Sequence, residues 1–244
     1  MVLRLNNLWS LTIIAGLLPL LWLFIDIAFD NLGSNAIQAL HIRLGDWSLR
    51  FLWLTLAITP VQTITKWRGM TDYRQLLGLY AFFYATLHLL AYLLLDHGLR
   101  WGIIGTDIIE SSYIWFGILA YTIVFLLALS SPKWAKKRMG KTWKKLHRYI
   151  YVAAIAGILH YYWQLKGNLA EPLFYLILIV LLLGFRVAVW FKNRKFNKMM
   201  IPTSKRLVVV PINPVVIPVN PVVIPETIAE PQEIIIKSLR KRAP

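Results

Sequence analysis

Residues 141–163 read KTWKKLHRYIYVAAIAGILHYYW, and this stretch decides the fold class. It changes from a lysine-rich beginning to a long apolar run, and His147 and His160 lie near the two ends of that run. A mostly apolar segment of about 20 residues is long enough to cross a bilayer as a helix. An ionisable ring in such a helix is costly unless something binds it, so the stretch indicates a functional site within a membrane.

Five further segments of similar length and polarity lie before and after this stretch. The 244-residue chain is 58% hydrophobic, and its mean hydropathy of +0.58 is too high for an ordinary soluble domain. We therefore predict an all-α membrane protein built as a six-helix transmembrane bundle. The six predicted spans are residues 8–28, 47–65, 75–95, 113–130, 148–165 and 173–190.

Lysine and arginine are distributed unevenly between the two sides of the predicted bundle, within a formal net charge of +16. The positive-inside rule places the basic side, with both termini, in the cytoplasm. Because the basic residues lie between apolar runs or after the last one, and not on a solvated face, no nucleic-acid partner is expected. The basic side carries Arg4, the loops 66–74 and 133–145 and the C-terminal tail, and the other side carries Arg43, Arg50, Arg100 and Lys166.

The chain contains no cysteine, which excludes thiolate-bound metals, iron–sulfur clusters and covalently attached c-type haem. A third histidine, His88, lies inside the third apolar segment. Imidazole alone would have to hold a cofactor, and haem iron is the first candidate. The first segment lacks a clear small-residue cleavage site, so we expect it to remain as a span and not to be removed as a signal peptide.

His88 belongs to a stripe of residues on one face of the third predicted helix. The third and fifth spans run in the same direction, and His88 and His160 both come late in their spans. They should therefore share a depth and can ligate one haem from its two sides, which suits electron transfer and excludes oxygen chemistry. The alternative is a helix-packing seam in which His88 makes one interhelical hydrogen bond. The stripe comprises Arg74, Gly78, Ala81, Ala85, His88 and Tyr92.

His147 lies 13 residues before His160, which on a continuous helix is about 20 Å away with the ring turned by about 140°. A bend at Gly157 could reduce that angle. At the depth of His147 the third helix offers Arg74 and Gln75 instead of a histidine. His147 would then hold a second haem with another kind of partner, or contact a propionate, a quinone or a flavin. The other two histidines are expected to be ordinary solvated loop side chains: His41 and His97.

Residues 196–244 differ in composition from the predicted membrane domain, residues 1–195. They contain two near-repeats, INPVVIP at 212–218 and VNPVVIP at 219–225. Recurring prolines exclude a helix and a central strand, so we expect a Pro/Val/Ile-rich and basic cytoplasmic tail that is extended or disordered. The tail has no Gly-rich dinucleotide motif and no room for a flavin and nicotinamide domain, so an external electron donor would be needed.

Four motifs within residues 1–195 resemble those of the MsrQ (YedZ) family. They read RQLLGL at 74–79, LHLLAY at 87–92, GKTWKKLHRYIY at 140–151 and HYYW at 160–163. This family comprises the haem-binding membrane subunits of bacterial periplasmic methionine sulfoxide reductase systems. It belongs to the ferric-reductase-like transmembrane group, whose fold the chain is then expected to share.

The resemblance implies an electron-transfer subunit with no catalytic residue of its own, not a stand-alone enzyme. It would hold one or two b-type haems and an FMN, as a multi-pass protein of the bacterial inner membrane. Electrons would come from the quinol pool or a cytoplasmic flavin reductase and pass to a periplasmic molybdenum-containing reductase of the MsrP type, which repairs oxidised envelope proteins. The implied haem-ligand positions are His88, His147 and His160, and Arg74 is an implied cofactor-binding residue.

The chain departs from the family pattern in two places. Gln75 follows Arg74 where relatives have a second basic residue, and the generic ferric-reductase pattern has four histidines where this chain has three in its predicted apolar helices, out of five in all. Two alternative functions remain open. One is a quinone-linked haem metalloreductase with another acceptor, and the other is a transporter or structural membrane subunit without haem.

Overall fold

The computed structural model describes residues 2–67, 69–164 and 170–200, with side chains described for residues 8–67, 69–164, 170, 173–192 and 194. The chain separates into two units, Met1–Lys198 and Met199–Pro244. Every regular element in the described part is helical, which confirms the all-α prediction for these residues. From residue 201 onwards the predicted tail lies outside the described residues, so its conformation stays a prediction.

Each of the six predicted spans overlaps an α-helix of the described residues. The π-helical segment Ala91–Asp96 continues the third helix, and the 3-10 turn His147–Tyr149 precedes the eighth. The α-helices are α1 (Val2–Ala28), α2 (Ala36–Thr65), α3 (Met70–Leu90), α4 (Trp101–Glu110), α5 (Ser112–Leu129), α6 (Lys133–Met139), α7 (Lys141–Leu146), α8 (Ile150–Gln164) and α9 (Ala170–Met200).

Four helical stretches of the described residues are long and apolar enough to cross a membrane. The predicted span 47–65, and 148–165 over its described residues up to 164, are helical but are not among the four. α8 has only 15 residues, fewer than the roughly 20 that a straight span needs, and α2 buries many of its side chains in the bundle. The six-span topology therefore stays a prediction. The four stretches are Leu8–Ala28, Met70–Asp96, Ser112–Leu129 and Leu173–Lys192.

α2 begins well before the predicted span because its N-terminus is capped. The side chain of Asn35 accepts a hydrogen bond from the backbone N–H of Gln38 at 3.1 Å, which satisfies one of the free donors of the first turn. The helix ends where Lys66 adopts a left-handed conformation with φ of 58°. Residues 36–46, predicted as part of a loop, are consequently helical.

The bundle core consists of two antiparallel helix pairs, α2 with α3 and α5 with α8. Small residues allow close approach within and between these pairs. Gly78 of α3 lies opposite Thr55 of α2, where an added Cβ would be 3.7 Å from the threonine methyl group. Ala153 and Ala154 of α8 are both 0% exposed, the first packing on α5 and the second on the core formed with α2 and α3.

The long helices α1 and α9 contact this core with one face and expose the other. The hydroxyl groups of Tyr80 and Tyr84 on α3 donate to the carbonyls of Ile13 and Gly16 on α1, at 2.7 and 2.8 Å. The outer faces of the two helices carry large exposed apolar side chains, among them Trp22. Many exposed large apolar side chains on long helices are typical of a surface that a bilayer covers.

Two interruptions of α-helical geometry lie beside histidines. The π-helical segment begins three residues after His88, and such segments are frequent at functional sites. The 3-10 turn places His147 at a break between α7 and α8. Because this turn separates His147 from α8, the angle estimated for one continuous helix does not describe the two rings.

Candidate functional site

His88 and His160 lie together in the bundle, although they belong to different helix pairs. Their ring centroids are 6.1 Å apart, and the ring planes are nearly perpendicular at 88°. Both side chains are partly buried. The prediction that these two histidines share a depth is thus supported by their contact, whereas their role as metal ligands is not tested by it.

Each imidazole of this histidine pair is hydrogen-bonded to the backbone of a neighbouring helix. His88 Nδ1 lies 2.9 Å from the carbonyl oxygen of His41, and His160 Nδ1 lies 2.8 Å from that of Tyr113. A carbonyl oxygen only accepts, so Nδ1 must carry the proton in both rings. In a neutral imidazole the lone pair is then on Nε2, which is the arrangement of a metal-ligating histidine.

The spacing of the two rings fits axial coordination. Imidazole binds first-row metals at about 2 Å, so two imidazoles on opposite sides of one ion have centroids about 6 Å apart. The observed separation of 6.1 Å agrees with that value. The described residues contain no group of three or more His, Asp or Glu side chains arranged around a metal position. Two axial imidazoles are, however, all that a haem needs from the protein for bis-histidine ligation.

His41, expected in a solvated loop, belongs to this site instead. It lies in the first part of α2, and its ring stacks on that of His88 with centroids 4.0 Å apart and an interplanar angle of 11°. Its Nδ1 is 3.4 Å from a carboxylate oxygen of Asp96, and its side chain is 13% exposed. Its Nε2 is buried without a hydrogen-bond partner among the described residues. The prediction was wrong because the Asn35 cap was not recognised as a helix start.

His97 is also not an ordinary solvated side chain. Its Nε2 lies 3.4 Å from a carboxylate oxygen of Asp107 on α4, and only 17% of the side chain is exposed. The hydroxyl of Tyr92 donates to the same carboxylate at 2.7 Å, and the rings of His97 and Tyr92 meet edge to face at 4.5 Å. This cluster fixes the turn after the π-helical segment against α4.

His147 lies in a different and more local setting. Its ring stacks on Trp143 with centroids 3.9 Å apart, and its Nδ1 lies 3.2 Å from the Trp143 carbonyl one turn earlier. Burial lowers the pKa of the His147 imidazole below its ordinary value of 6.5, the bond to Trp143 raises it, and the nearby cations Arg74 and Lys136 lower it again. Arg74 and His147, predicted to share a depth, thus interact electrostatically.

The neighbourhood of His147 is tied to the end of α5. Trp143 Nε1 donates to the carbonyl of Ser130 at 2.9 Å, and Gln75 Nε2 donates to that of Ser131 at 3.1 Å. These bonds join the beginning of α3 and α7 to the turn after α5. Gln75, which stands where relatives are expected to have a second basic residue, thus has a structural contact of its own.

Arg186 of α9 is a charged residue in the bundle that the sequence analysis did not single out. Its guanidinium donates to the Leu56 carbonyl at 2.9 Å and to Thr59 Oγ1 at 2.8 Å, and it also bonds to the Tyr151 hydroxyl. Its Nε is buried without a partner among the described residues. In the sequence, a single arginine inside the apolar segment 173–190 is the signal that could have indicated its role.

Comparison with known proteins places this arrangement in a class. Residues 44–158, which include α3, α5 and most of α2 and α8, match the family described as "Ferric reductase like transmembrane component". No solved structure matches the chain. The helices of the bundle core are thus those of a ferric-reductase-like transmembrane component, and His88 lies within the matched residues, whereas His160 lies two residues beyond them.

Three similar proteins define the family more narrowly. The chain is 39% identical over 186 residues to a protein of Rhodospirillum rubrum, covering 76% of this chain and 89% of that protein. It is 41% identical over 179 residues to one of Agrobacterium fabrum (73% and 82% covered) and 39% identical over 187 residues to one of Bordetella pertussis (75% and 90% covered). All three are described as "Protein-methionine-sulfoxide reductase heme-binding subunit MsrQ". The chain belongs to the MsrQ family, as the four motifs predict.

Proposed function

We propose that the chain is a haem b electron-transfer subunit in which His88 and His160 are the two axial ligands of one haem. The matched histidine pair is the observation that carries the proposal. Each ring donates a hydrogen bond from Nδ1–H to a backbone carbonyl, which leaves the lone pair of the neutral ring on Nε2, and the ring separation is compatible with two imidazoles on one iron. The three similar proteins are described as haem-binding subunits, which supports the same cofactor here.

The surroundings of the pair fit this group. Gly45 and Gly117 lie against the two imidazoles, where a larger side chain would displace the rings. The buried Nε2 of His41 is a polar atom that a group bound beside His88 could satisfy. When bound, haem supplies one-electron exchange between ferric and ferrous iron. The chain would contribute the positioning: His88 and His160 would hold the haem, and their carbonyl bonds would set the orientation and basicity of the two rings.

We further propose the electron path that the family resemblance implies. The chain spans the bacterial inner membrane six times with both termini in the cytoplasm, so His147 and Arg74 lie at the cytoplasmic end and the histidine pair near the periplasmic end. The donor is the quinol pool or a cytoplasmic flavin reductase, and the acceptor is a periplasmic molybdenum-containing reductase of the MsrP type. His147 and Arg74 would bind a second cofactor, either another haem b or the FMN. The names of the relatives as subunits of a methionine sulfoxide reductase support the acceptor.

The cofactor content is tested on the full chain purified in detergent. We expect dithionite-sensitive bands of low-spin haem b, with at least one haem per chain, and flavin analysis of the same sample decides whether FMN is present. His97→Ala is the control for a histidine that is packed in a turn but lies outside the pair. A purified wild-type chain with no dithionite-sensitive bands after haem-supplemented expression would support the transporter or structural alternative and contradict the proposal.

The acceptor needs a separate experiment. Deletion of the gene in the source bacterium should leave methionine sulfoxide in periplasmic proteins after oxidative stress, and the wild-type chain should restore repair. His160→Ala should be inserted in the membrane but fail to restore it. Normal repair in the deletion strain would favour the metalloreductase alternative.

A further inference from the structure

The two histidines of the pair are held by neighbouring helices in the same way. In both cases the Nδ1–H bonds to the carbonyl of one helical residue, and the ring lies against a glycine four residues later on the same helix. The repetition links two different helix pairs, so it is not a consequence of one local packing arrangement. The two sets are His88 with the His41 carbonyl and Gly45 on α2, and His160 with the Tyr113 carbonyl and Gly117 on α5.

Helix geometry explains why a glycine stands at that position. Side chains in an α-helix point back towards the N-terminus, so the side chain at residue i+4 covers the helix surface near the carbonyl of residue i. One lone pair of that carbonyl oxygen accepts the intrahelical N–H, and the other is available to an outside donor. A glycine at i+4 leaves the carbonyl uncovered, and an imidazole from another helix can then lie over the backbone and donate to it.

The distances show how little room a side chain would have. A Cβ added to Gly117 would be 2.8 Å from His160 Nδ1 and 2.9 Å from its Cε1. A Cβ added to Gly45 would be 3.0 Å from both His88 Nδ1 and Cε1. In each case the nitrogen that makes the carbonyl bond is among the nearest atoms, so the ring would have to shift at the atom that holds this bond.

We propose that Gly45 and Gly117 are haem-positioning residues, which set the orientation and proton position of the two axial histidines by exposing the carbonyls of residues 41 and 113. The proposal rests on the function proposed above, because it assigns a role to two residues in holding the same haem. Neither glycine bears a group that touches iron, so each acts through its histidine.

Other glycines of the bundle provide matched controls. Gly157 lies on α8 three residues before His160, and an added Cβ there would be 3.6 Å from a methyl group of Leu49, an ordinary contact. Gly78 on α3 is comparable, with its nearest neighbour 3.7 Å away on Thr55. Alanine at these positions adds the same atom to the same bundle without reaching a ligand histidine.

The experiment compares Gly117→Ala and Gly45→Ala with Gly157→Ala and Gly78→Ala in the full chain, purified with its haem. The readouts are the electron paramagnetic resonance signal of the low-spin haem and the rate of haem transfer to excess apomyoglobin. Removal of a group that orients a metal-ligating histidine typically weakens binding by about 10- to 100-fold. We expect transfer at least about 10-fold faster in Gly117→Ala, a smaller acceleration in Gly45→Ala, altered low-spin signals in both, and wild-type behaviour in the two controls.

The outcomes separate this proposal from the function on which it rests. Unchanged signals and transfer rates in Gly117→Ala and Gly45→Ala, with haem present in the wild type, would overturn the role of the glycines and leave the haem assignment intact. Equal losses in all four variants would show a general packing effect and would also overturn it. A wild-type chain without haem contradicts the proposed function itself. If Gly117→Ala cannot be recovered as folded protein, the milder Gly45→Ala decides between these results.

Discussion

The histidine pair, His88 and His160, and the His147 region, residues 141–149, show two ways in which a helix bundle can hold an imidazole. His88 and His160 are each fixed by a carbonyl 47 residues away in sequence, on another helix. His147 is fixed by the carbonyl and the ring of Trp143, four residues earlier in its own turn. The first arrangement exists only when the bundle is assembled, whereas the second can form from a short segment.

This difference indicates how much of each site is prepared in the protein. The tertiary bonds hold the two rings of the pair in place without a ligand, which reduces the ordering cost of binding. His147 has no second histidine in contact among the described residues, and it lies in a short 3-10 turn. Its orientation therefore depends on local geometry and on the cation Arg74 beside it. We expect the pair to dominate haem retention and the His147 region to respond to local changes.

The largest effect is expected from removal of either ligand of the pair. His88→Ala and His160→Ala should each abolish the low-spin haem signal of this site, and the double variant should be no worse, because one missing ligand already breaks the axial pair. Spectra of the purified variants beside His97→Ala measure this. Clear additivity, with half of the signal left in each single variant, would show that the two histidines serve different haems.

The second-largest effect is expected on the stability of the bundle, through the hydrogen bonds that hold α9 against α2 and α8. Arg186→Met removes hydrogen bonds from a charged donor to Tyr151, Leu56 and Thr59, which should cost about 2 to 3 kcal/mol of stability. Arg186→Lys keeps the charge but loses the planar guanidinium with its several N–H donors. Its stability should lie between that of Arg186→Met and that of the wild type. Thermal unfolding in detergent checks the order. Wild-type stability in Arg186→Met would mean that this buried guanidinium contributes little.

A smaller effect should be confined to the His147 region. Trp143→Ala removes the ring under His147 and the bond to the Ser130 carbonyl, a loss of about 1 kcal/mol for the hydrogen bond alone. Amide hydrogen exchange over residues 141–149 should accelerate several-fold, while exchange near the pair stays unchanged. Trp143→Phe retains an aromatic ring and should lie close to the wild type. Equally accelerated amide exchange around His160 in Trp143→Ala would show that the His147 region and the histidine pair are not independent.

The smallest effect is expected from the side chain of His41. His41→Ala keeps the backbone carbonyl that holds His88, but loses the stacked ring and the contact with Asp96. Haem content should therefore stay at the wild-type value, with a small change in the low-spin signal. His41→Phe keeps a stacked ring and should change the signal less. Complete loss of haem in His41→Ala would give His41 a direct role in binding.

The parts of this molecule that could be predicted from sequence are those that depend on polarity and depth. Apolar runs placed the helices, and the late position of two histidines in parallel helices brought His88 and His160 together. The 3-10 turn at His147 was missed because neither proline nor glycine occurs in His147–Tyr149. The start of α2 was missed because polar residues lower the hydropathy of its first turns, so a helix beginning at the Asn35 cap was read as a loop.

The glycines beside the pair were missed for a different reason. Gly45 and Gly117 have no side chain, so they offer no chemical group from which a role can be inferred. Their role follows from the imidazole that another helix packs against each of them, and this contact exists only in the tertiary structure. Arg186 is the opposite case, since its charge was visible in an apolar segment but its three acceptors come from two other helices.

The most direct test of the central claim is the low-spin haem content of His160→Ala and His147→Ala, measured side by side on purified full-length chains. The structure predicts that His160→Ala loses the haem of the histidine pair, whereas His147→Ala retains it. Loss of the low-spin signal of the histidine pair in His147→Ala as well, to the same extent as in His160→Ala, would contradict the assignment of His88 and His160 as the ligands of one haem.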